Sequence, residues 1–362
     1  MVENMNTNLH KAKIEKNDEF YTQYTDIQKE INAYLEYNPN VFRDKTILLP
    51  CDDPEWSNFT KFFVQNFEKF GLKKLISTCY TNTKNNCQTN LFENYDCSQN
   101  FNSHGKILTI TKDNLNSKWQ YLKGDGDFRS SEIKALRDES DFIITNPPFS
   151  LFREFVSWIF ETDKKFLIIG NMNAITYKEV FTLFKDNKLW LGNGFSNGNA
   201  YFAIPENIAK NYANGVYDEK TNLVKFRNCW WYTNIAHGKR HKPLSLLTMN
   251  DNLRFNKKLQ NPKYQNIYKK YDNYDAIEVP YTDAIPSDYD GVMGVPISFL
   301  DKYCPEQFEL LGITQGNDDP YKIKKYTTNE YKNANDLNAR ATILNNGIPK
   351  SLFPRILINK IK

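Results

Sequence analysis

Short runs of consecutive apolar residues recur along the first two-thirds of the chain, separated by stretches with helical spacing. Residues 46–49, 74–77 and 106–110 read as strands, and 142–145 and 166–170 as buried ones, because a strand covered on both faces shows an unbroken apolar run. Between them, apolar positions return every three or four residues over 26–37, over Trp56, Phe59, Phe63, Phe67 and Phe70, over Leu151, Phe152, Phe155, Val156, Ile159 and Phe160, and over 177–184. Asp53 suits the N-cap of the second helix, Pro54 its first position, Glu55 its first turn and Gly71 its end. Ser150 suits the N-cap of the third. Strand and helix in alternation predict an α/β class fold, a doubly wound and mostly parallel sheet to about residue 235. Residues 189–192 and 201–205 add strands, and 224–233 is expected to complete the sheet as an antiparallel hairpin. Residues 1–19 read as a polar arm, 81–105 as a polar loop, 291–313 as an ordered stretch and 355–359 as a last strand.

Composition narrows this little. The six cysteines contain no CxxC pair, the scatter of a reducing cytoplasm, and no apolar run of membrane length or signal peptide is evident. A formal net charge of +4 is close to balance, so a nucleic-acid surface must be a local patch. One candidate begins where the pattern changes. His237, Lys239, Arg240, His241 and Lys242 form a compact basic run, followed by Arg254, Phe255, Lys257 and Lys258 and by further alternating basic and aromatic residues to Tyr271. Such interleaving suits phosphate and base contacts; it is also what a solvated surface looks like. Metal binding is not expected: Gly238 weakens a helix between His237 and His241, and no second ligand pair is evident. The expected division is a catalytic domain over 1–235 and a target-recognition region over 236–362.

The chemistry concentrates after the 142–145 strand, in Asn146-Pro147-Pro148-Phe149. Two prolines fix φ and remove two backbone donors, leaving a stiff loop with an amide side chain, free carbonyls and an aromatic ring. Pro-Pro alone would also read as a helix-stopping turn. Its position at the carboxyl end of a strand, where open α/β sheets bind ligands, favours a site. The Asn146 oxygen and the Pro147 carbonyl can accept both hydrogens of a planar amino group while Phe149 stacks on the ring. Asn-Pro-Pro-Phe is the signature of S-adenosylmethionine-dependent amino methylation. Gly124-Asp125-Gly126-Asp127-Phe128 could hold a ligand amino group or form a hairpin turn. Pro50-Cys51 mimics the nucleophile motif of cytosine-C5 methylation, but it ends the first strand, where a cofactor belongs, and no Glu-Asn-Val accompanies it.

With these pieces placed, the chain resembles the EcoRI-type adenine-N6 DNA methyltransferases of restriction–modification systems over nearly its whole length. The residues that carry the likeness are Asp18-Glu-Phe-Tyr-Thr-Gln-Tyr24, Cys51-Asp-Asp-Pro54 with Ser57-Asn58-Phe59, residues 125–128, the Asn-Pro-Pro-Phe loop and Tyr201-Phe202. The resemblance implies a Rossmann-like methyltransferase fold using S-adenosyl-L-methionine. Tyr21 and Thr22 would touch its methionine part; Cys51, Asp52, Asp53, Pro54, Ser57, Asn58, Thr78 and Asn146 would line the rest, with Asp125, Asp127 and Phe128 near its adenine. Asn146, Pro147, Pro148 and Phe149 would perform catalysis on a flipped base, with Phe149 and Tyr201 or Phe202 facing it. The partner implied is double-stranded DNA, met by a cytoplasmic monomer that protects phage DNA or serves beside a cognate restriction endonuclease without a stable complex. Two departures from methyltransferases at large stand out: the glycine-rich first loop is replaced by Cys-Asp-Asp-Pro, and the second strand ends without the usual ribose-binding acid, leaving that work to Asp52 or Asp53. The rivals are RNA or protein-glutamine methylation by the same chemistry, and a silent DNA-binding module.

Overall fold

The computed structural model describes residues 21–81, 103–195, 198–204, 216–261, 267–316 and 319–361. Residues 1–19 of the expected arm, Asp18, Glu19 and Phe20 of the first motif, most of the 81–105 loop and Pro205 lie outside them. The chain divides into two compact units, Met1–Asn171 with Leu191–His237, and Met172–Trp190 with Gly238–Lys362.

The first unit contains most of a large mixed sheet. Its labelled elements run β1 (Tyr21–Thr22), α1 (Tyr24–Tyr37), β2 (Thr46–Leu49), α2 (Asn58–Gln65), β3 (Lys74–Cys79), β4 (Lys106–Thr111), β5 (Gln120–Tyr121), α3 (Ser131–Glu139), β6 (Phe142–Thr145), α4 (Phe152–Phe160), β7 (Lys165–Asn171), β8 (Trp190–Leu191), β9 (Ala200–Ala203), β10 (Tyr217–Asp218), β11 (Leu223–Phe226) and β12 (Cys229–Thr233). The large sheet has the order β5-β4-β3-β2-β6-β7-β12-β8. The pairs β3–β2, β2–β6 and β6–β7 are parallel, and β4 and β12 add antiparallel strands on either side. Every residue of β2 and β6 is buried, which explains their unbroken apolar runs. α1 buries Ile27, Glu30, Ile31 and Tyr34 along one face, and the phenylalanines around α2 pack with Phe42 and Phe142. From β2 the chain moves to β3 on one side, then returns to β6 on the other.

Three local expectations are corrected. Residues 224–233 are not one hairpin: β11 joins a small sheet ordered β1-β9-β11-β10, while β12 pairs with β7. Burial separates them, since β12 is nearly all buried and belongs in a covered sheet, whereas β11 buries only Val224. Asp53 does not cap the helix after β2. Its Oδ1 accepts from the N–H groups of Glu55 and Trp56, closing a tight turn, and Ser57 caps α2 by accepting from Phe59. Trp56 therefore points outward, 67% exposed, instead of packing in the helical face. A turn of 3₁₀ helix over Phe149–Leu151 likewise precedes α4, so Ser150 is not its cap.

The second unit carries α5 (Lys178–Lys185), α6 (Met249–Phe255), β13 (Ile277–Glu278), β14 (Met293–Pro296), β15 (Phe308–Ile313), α7 (Ala334–Ala339), β16 (Thr342–Asn345), β17 (Ile348–Ser351) and β18 (Arg355–Lys360). Its sheet runs β13-β14-β18-β15, beside a β16–β17 hairpin. Arg355 clamps the buried Glu278 through Nε at 3.1 Å and Nη2 at 2.8 Å, and the Tyr271 hydroxyl donates to the same carboxylate. No helix among the described residues is long and apolar enough to cross a membrane.

Candidate active site

The carboxyl ends of β2, β3 and β6 converge, because the three strands are parallel neighbours. Asp52 follows β2 and is buried. Its Oδ1 accepts from Ser57 Oγ at 2.6 Å and its Oδ2 from Thr145 Oγ1 at 2.6 Å. Burial pushes its carboxyl up to about 7, against those two hydrogen bonds, with nearby Asp53 adding to the rise. Asp53 behaves differently. It is part-exposed, its Oδ2 accepts from Cys79 Sγ at 3.5 Å, and Lys106 Nζ stands 3.6 Å away. An acid from the first loop thus reaches the end of β3, the position where that strand has none of its own. Burial raises both thiols, that of Cys79 to about 12, so neither Cys51 nor Cys79 offers a thiolate. Pro54 is buried in the turn, and Thr78 is buried with its hydroxyl on Pro50 O.

The acidic loop closes over the end of β3. Thr81 N donates to Asp125 O at 2.8 Å, and a Cβ on Gly126 would stand 2.3 Å from Cys79 O. With φ at +85°, that position accepts only glycine without strain. Asp125 is exposed, whereas Asp127 is engaged by Arg129, whose hydrogen bonds hold its carboxyl below the usual range. Phe128 is buried, edge-on to Phe155 and Trp158 at 5.1 and 5.7 Å, so its ring belongs to the core under α4.

Asn146, Pro147, Pro148 and Phe149 stand at the carboxyl end of β6, with Pro147 buried and the other three half-buried. Phe149 packs edge-to-face on Phe202 at 6.3 Å and on Phe226 at 6.2 Å. β9 alternates, burying Phe202 and exposing Tyr201. The two adjacent aromatics therefore do different work: Phe202 supports Phe149 from beneath, and Tyr201 faces outward with Lys225 Nζ 5.7 Å from its ring. Thr22 pairs with Phe202 across β1 and β9, and Asn58 Nδ2 donates to Thr22 O at 2.8 Å. The Thr22 hydroxyl is buried with no hydrogen-bond partner among the described residues, and Tyr21 beside it is half-buried. The structure thus brings Tyr21, Thr22, Asp52, Ser57, Asn58, Asn146 and Phe149 into one connected set.

A model of one protein family, described as adenine-specific methyltransferase EcoRI, matches residues 8–361. The chain belongs to this family. It is 45% identical to the type II methyltransferase M.EcoRI of Escherichia coli over 321 residues, covering 86% of this chain and 90% of that one. M.MpnI of Mycoplasma pneumoniae is 35% identical over 312 residues, 84% of each chain, and M.MgeORF184P of Mycoplasma genitalium 33% identical over 363 residues, 97% of this chain and 98% of that one; both are type II methyltransferases. No solved structure matches the chain. As a member of the EcoRI family it is an adenine-specific DNA methyltransferase dependent on S-adenosylmethionine.

The donor set fits that cofactor. A nucleoside with an amino-acid tail needs acids for its ribose hydroxyls and ammonium group, and close backbone for the rest. Part-exposed Asp53 and exposed Asp125 carry such carboxylates, and Gly126 lets the acidic loop press on the backbone of Cys79 beside them. For the methyltransferase's other substrate, the basic run is less uniform than its sequence. His237 is buried, with Nε2 2.9 Å from Leu191 O and its ring on Tyr34. Arg240 is buried against the Trp190 ring at 3.7 Å and bonded to Asn187. Lys239 pairs with Asp301, His241 with Glu306 at 2.7 Å, and Lys258 with Asp283 at 2.6 Å. Lys242 and Lys257 are exposed. Sequence reasoning missed Thr145, Lys106 and Lys225. Thr145 alone had a visible signal, a hydroxyl ending a strand otherwise wholly apolar.

Proposed function

We propose that the crevice between the ends of β2 and β6 is where methyl transfer to adenine N6 occurs, and that the first unit has the Rossmann-like methyltransferase fold. The strand order carries this reading: the chain winds from β2 to β3 and then back to β6, so the Asn-Pro-Pro-Phe loop stands at a topological switch point. When bound there, S-adenosylmethionine supplies the electrophilic methyl. Asp53, balanced by Lys106, takes the ribose-binding work, and the loop that carries Asp125 borders the adenosine. Asn146 Oδ1 and the Pro147 carbonyl accept the two N6 hydrogens and favour a more tetrahedral nitrogen as attack begins, which aims stabilisation at the transition state. Flipping the base costs a few kcal/mol, and stacking on Phe149 and Tyr201 returns roughly 1–3 kcal/mol per base. Residues 236–362 supply most of the target recognition, with Lys242 and Lys257 on phosphates. The protein works as a cytoplasmic monomer beside a separate endonuclease.

Incubation of unmethylated duplex DNA with labelled cofactor, followed by nucleoside analysis and single-molecule sequencing, tests the reading. N6-methyladenine confined to one short motif is expected. Label in RNA or protein with none in DNA would overturn it.

A further inference from the structure

The site as read above gives Asp52 no access to a ligand. Each carboxylate oxygen accepts a buried hydroxyl, Ser57 on one side and Thr145 on the other, both at 2.6 Å. Its backbone is held as well: Asp52 N donates to Thr78 O at 2.9 Å, and Asp52 O accepts from Ser77 Oγ at 2.7 Å. Both hydroxyl partners stand next to a site residue. Thr145 precedes Asn146, and Ser57, which caps α2, precedes Asn58 and its bond to Thr22 O. At the opposite end of the same strand pair, Asp141 Oδ2 accepts from Thr46 N at 2.8 Å. β2 and β6 are therefore tied by an aspartate at each end, and the tie at the ligand-binding end is made of side chains alone.

We propose that Asp52 is a positioning residue, whose carboxylate fixes the catalytic loop, through Thr145, against the cofactor loop, through Ser57. Resting on the placement of catalysis at Asn146, this assigns to Asp52 alignment of the two reactants instead of a bond to the cofactor. Methyl transfer requires the donor and acceptor atoms to be held in near-attack geometry, and a displacement of about 1 Å costs about a hundredfold in rate. Strand pairing alone leaves that spacing to the loops that follow the strands. A doubly hydrogen-bonded, buried carboxylate removes the slack.

The test is kinetic. Thr145→Val keeps the shape of the side chain and deletes the hydroxyl, Thr145→Ser restores it, and Asp52→Asn removes one acceptor. For Thr145→Val and Asp52→Asn, kcat is expected to fall about 10- to 100-fold while the dissociation constant for S-adenosylmethionine changes less than about threefold. Thr145→Ser should return to within about threefold of the parent, and the double variant should be no worse than the more damaged single one, because both act on one bond. Should Asp52→Asn not fold, the two Thr145 variants decide alone. Cofactor affinity falling in step with kcat would make Asp52 a ligand and overturn the proposal. Full turnover in Thr145→Val, with Asn146→Ala inactive, would overturn the tether while leaving the site intact. Full turnover in Asn146→Ala would remove the site and the tether together.

Discussion

The loops at the ends of β2 and β6 and the basic stretch after residue 237 both carry dense polar side chains, but they use them in opposite ways. In the loops, polar groups are bonded to each other so as to hold the Asn146 amide and an aromatic ring at the end of the sheet. In the basic stretch, most of the basic side chains named are occupied within their own unit: Arg240 covers Trp190, while Lys239, His241 and Lys258 meet carboxylates. A motif whose residues are contiguous keeps its chemistry wherever the fold puts it. A run of charges does not, because each side chain finds a distant partner independently.

The comparison breaks most visibly at Asn146. Asn146→Ala should lower kcat by about 10²–10³-fold, with cofactor binding and most DNA binding retained. Equal losses in all three would mean that the loop is scaffold. Next in size is Asp52. Its carboxyl holds a proton more tightly folded than unfolded, with the folded value pushed up from 3.8 to about 7 by burial. The stability it lends is full below the unfolded value and lost as pH rises through about 7. Asp52→Asn, which cannot ionise, should therefore gain about 1–3 kcal/mol on the parent between pH 5 and pH 8 in urea denaturation. A stability difference that stays flat with pH would contradict the buried, proton-retaining environment. Phe149→Ala should weaken capture of the extrahelical base by about 1–3 kcal/mol, read with a fluorescent adenine analogue, and cofactor binding by less.

The smallest effects sharpen the other side. Lys242→Ala and Lys257→Ala should each weaken DNA binding a few-fold and reduce the salt slope by about 1, as for loss of a single phosphate contact. Arg240→Ala should instead lower the melting temperature and leave the salt slope unchanged. A reversal of those two outcomes would return the buried arginine to the DNA interface.

Much of this was legible in the chain, for reasons that can be traced to particular residues. β2, β6 and β7 announced themselves because burial on both faces leaves no room for polar residues. The Asn-Pro-Pro-Phe loop did so because prolines constrain backbone locally. Capping was misread at Asp53, where two acids, a proline and a serine compete to begin one helix and Ser57 wins. The roles of Tyr201 and Phe202 follow from strand phase, which two adjacent aromatics do not reveal. The bond between Asp52 and Thr145 joins residues 93 positions apart and leaves no trace in either neighbourhood.

The pairing of Tyr21 and Thr22 with β9 also sets an order of events during synthesis. The strand carrying Tyr201 leaves the ribosome long after β1, when most of the first unit has been made. At roughly 5–20 residues per second, that wait is on the order of ten to forty seconds. Until β9 emerges, the strand whose Phe202 meets the Phe149 ring has not joined β1. The small sheet therefore closes late, when β9 reaches the strand it pairs with.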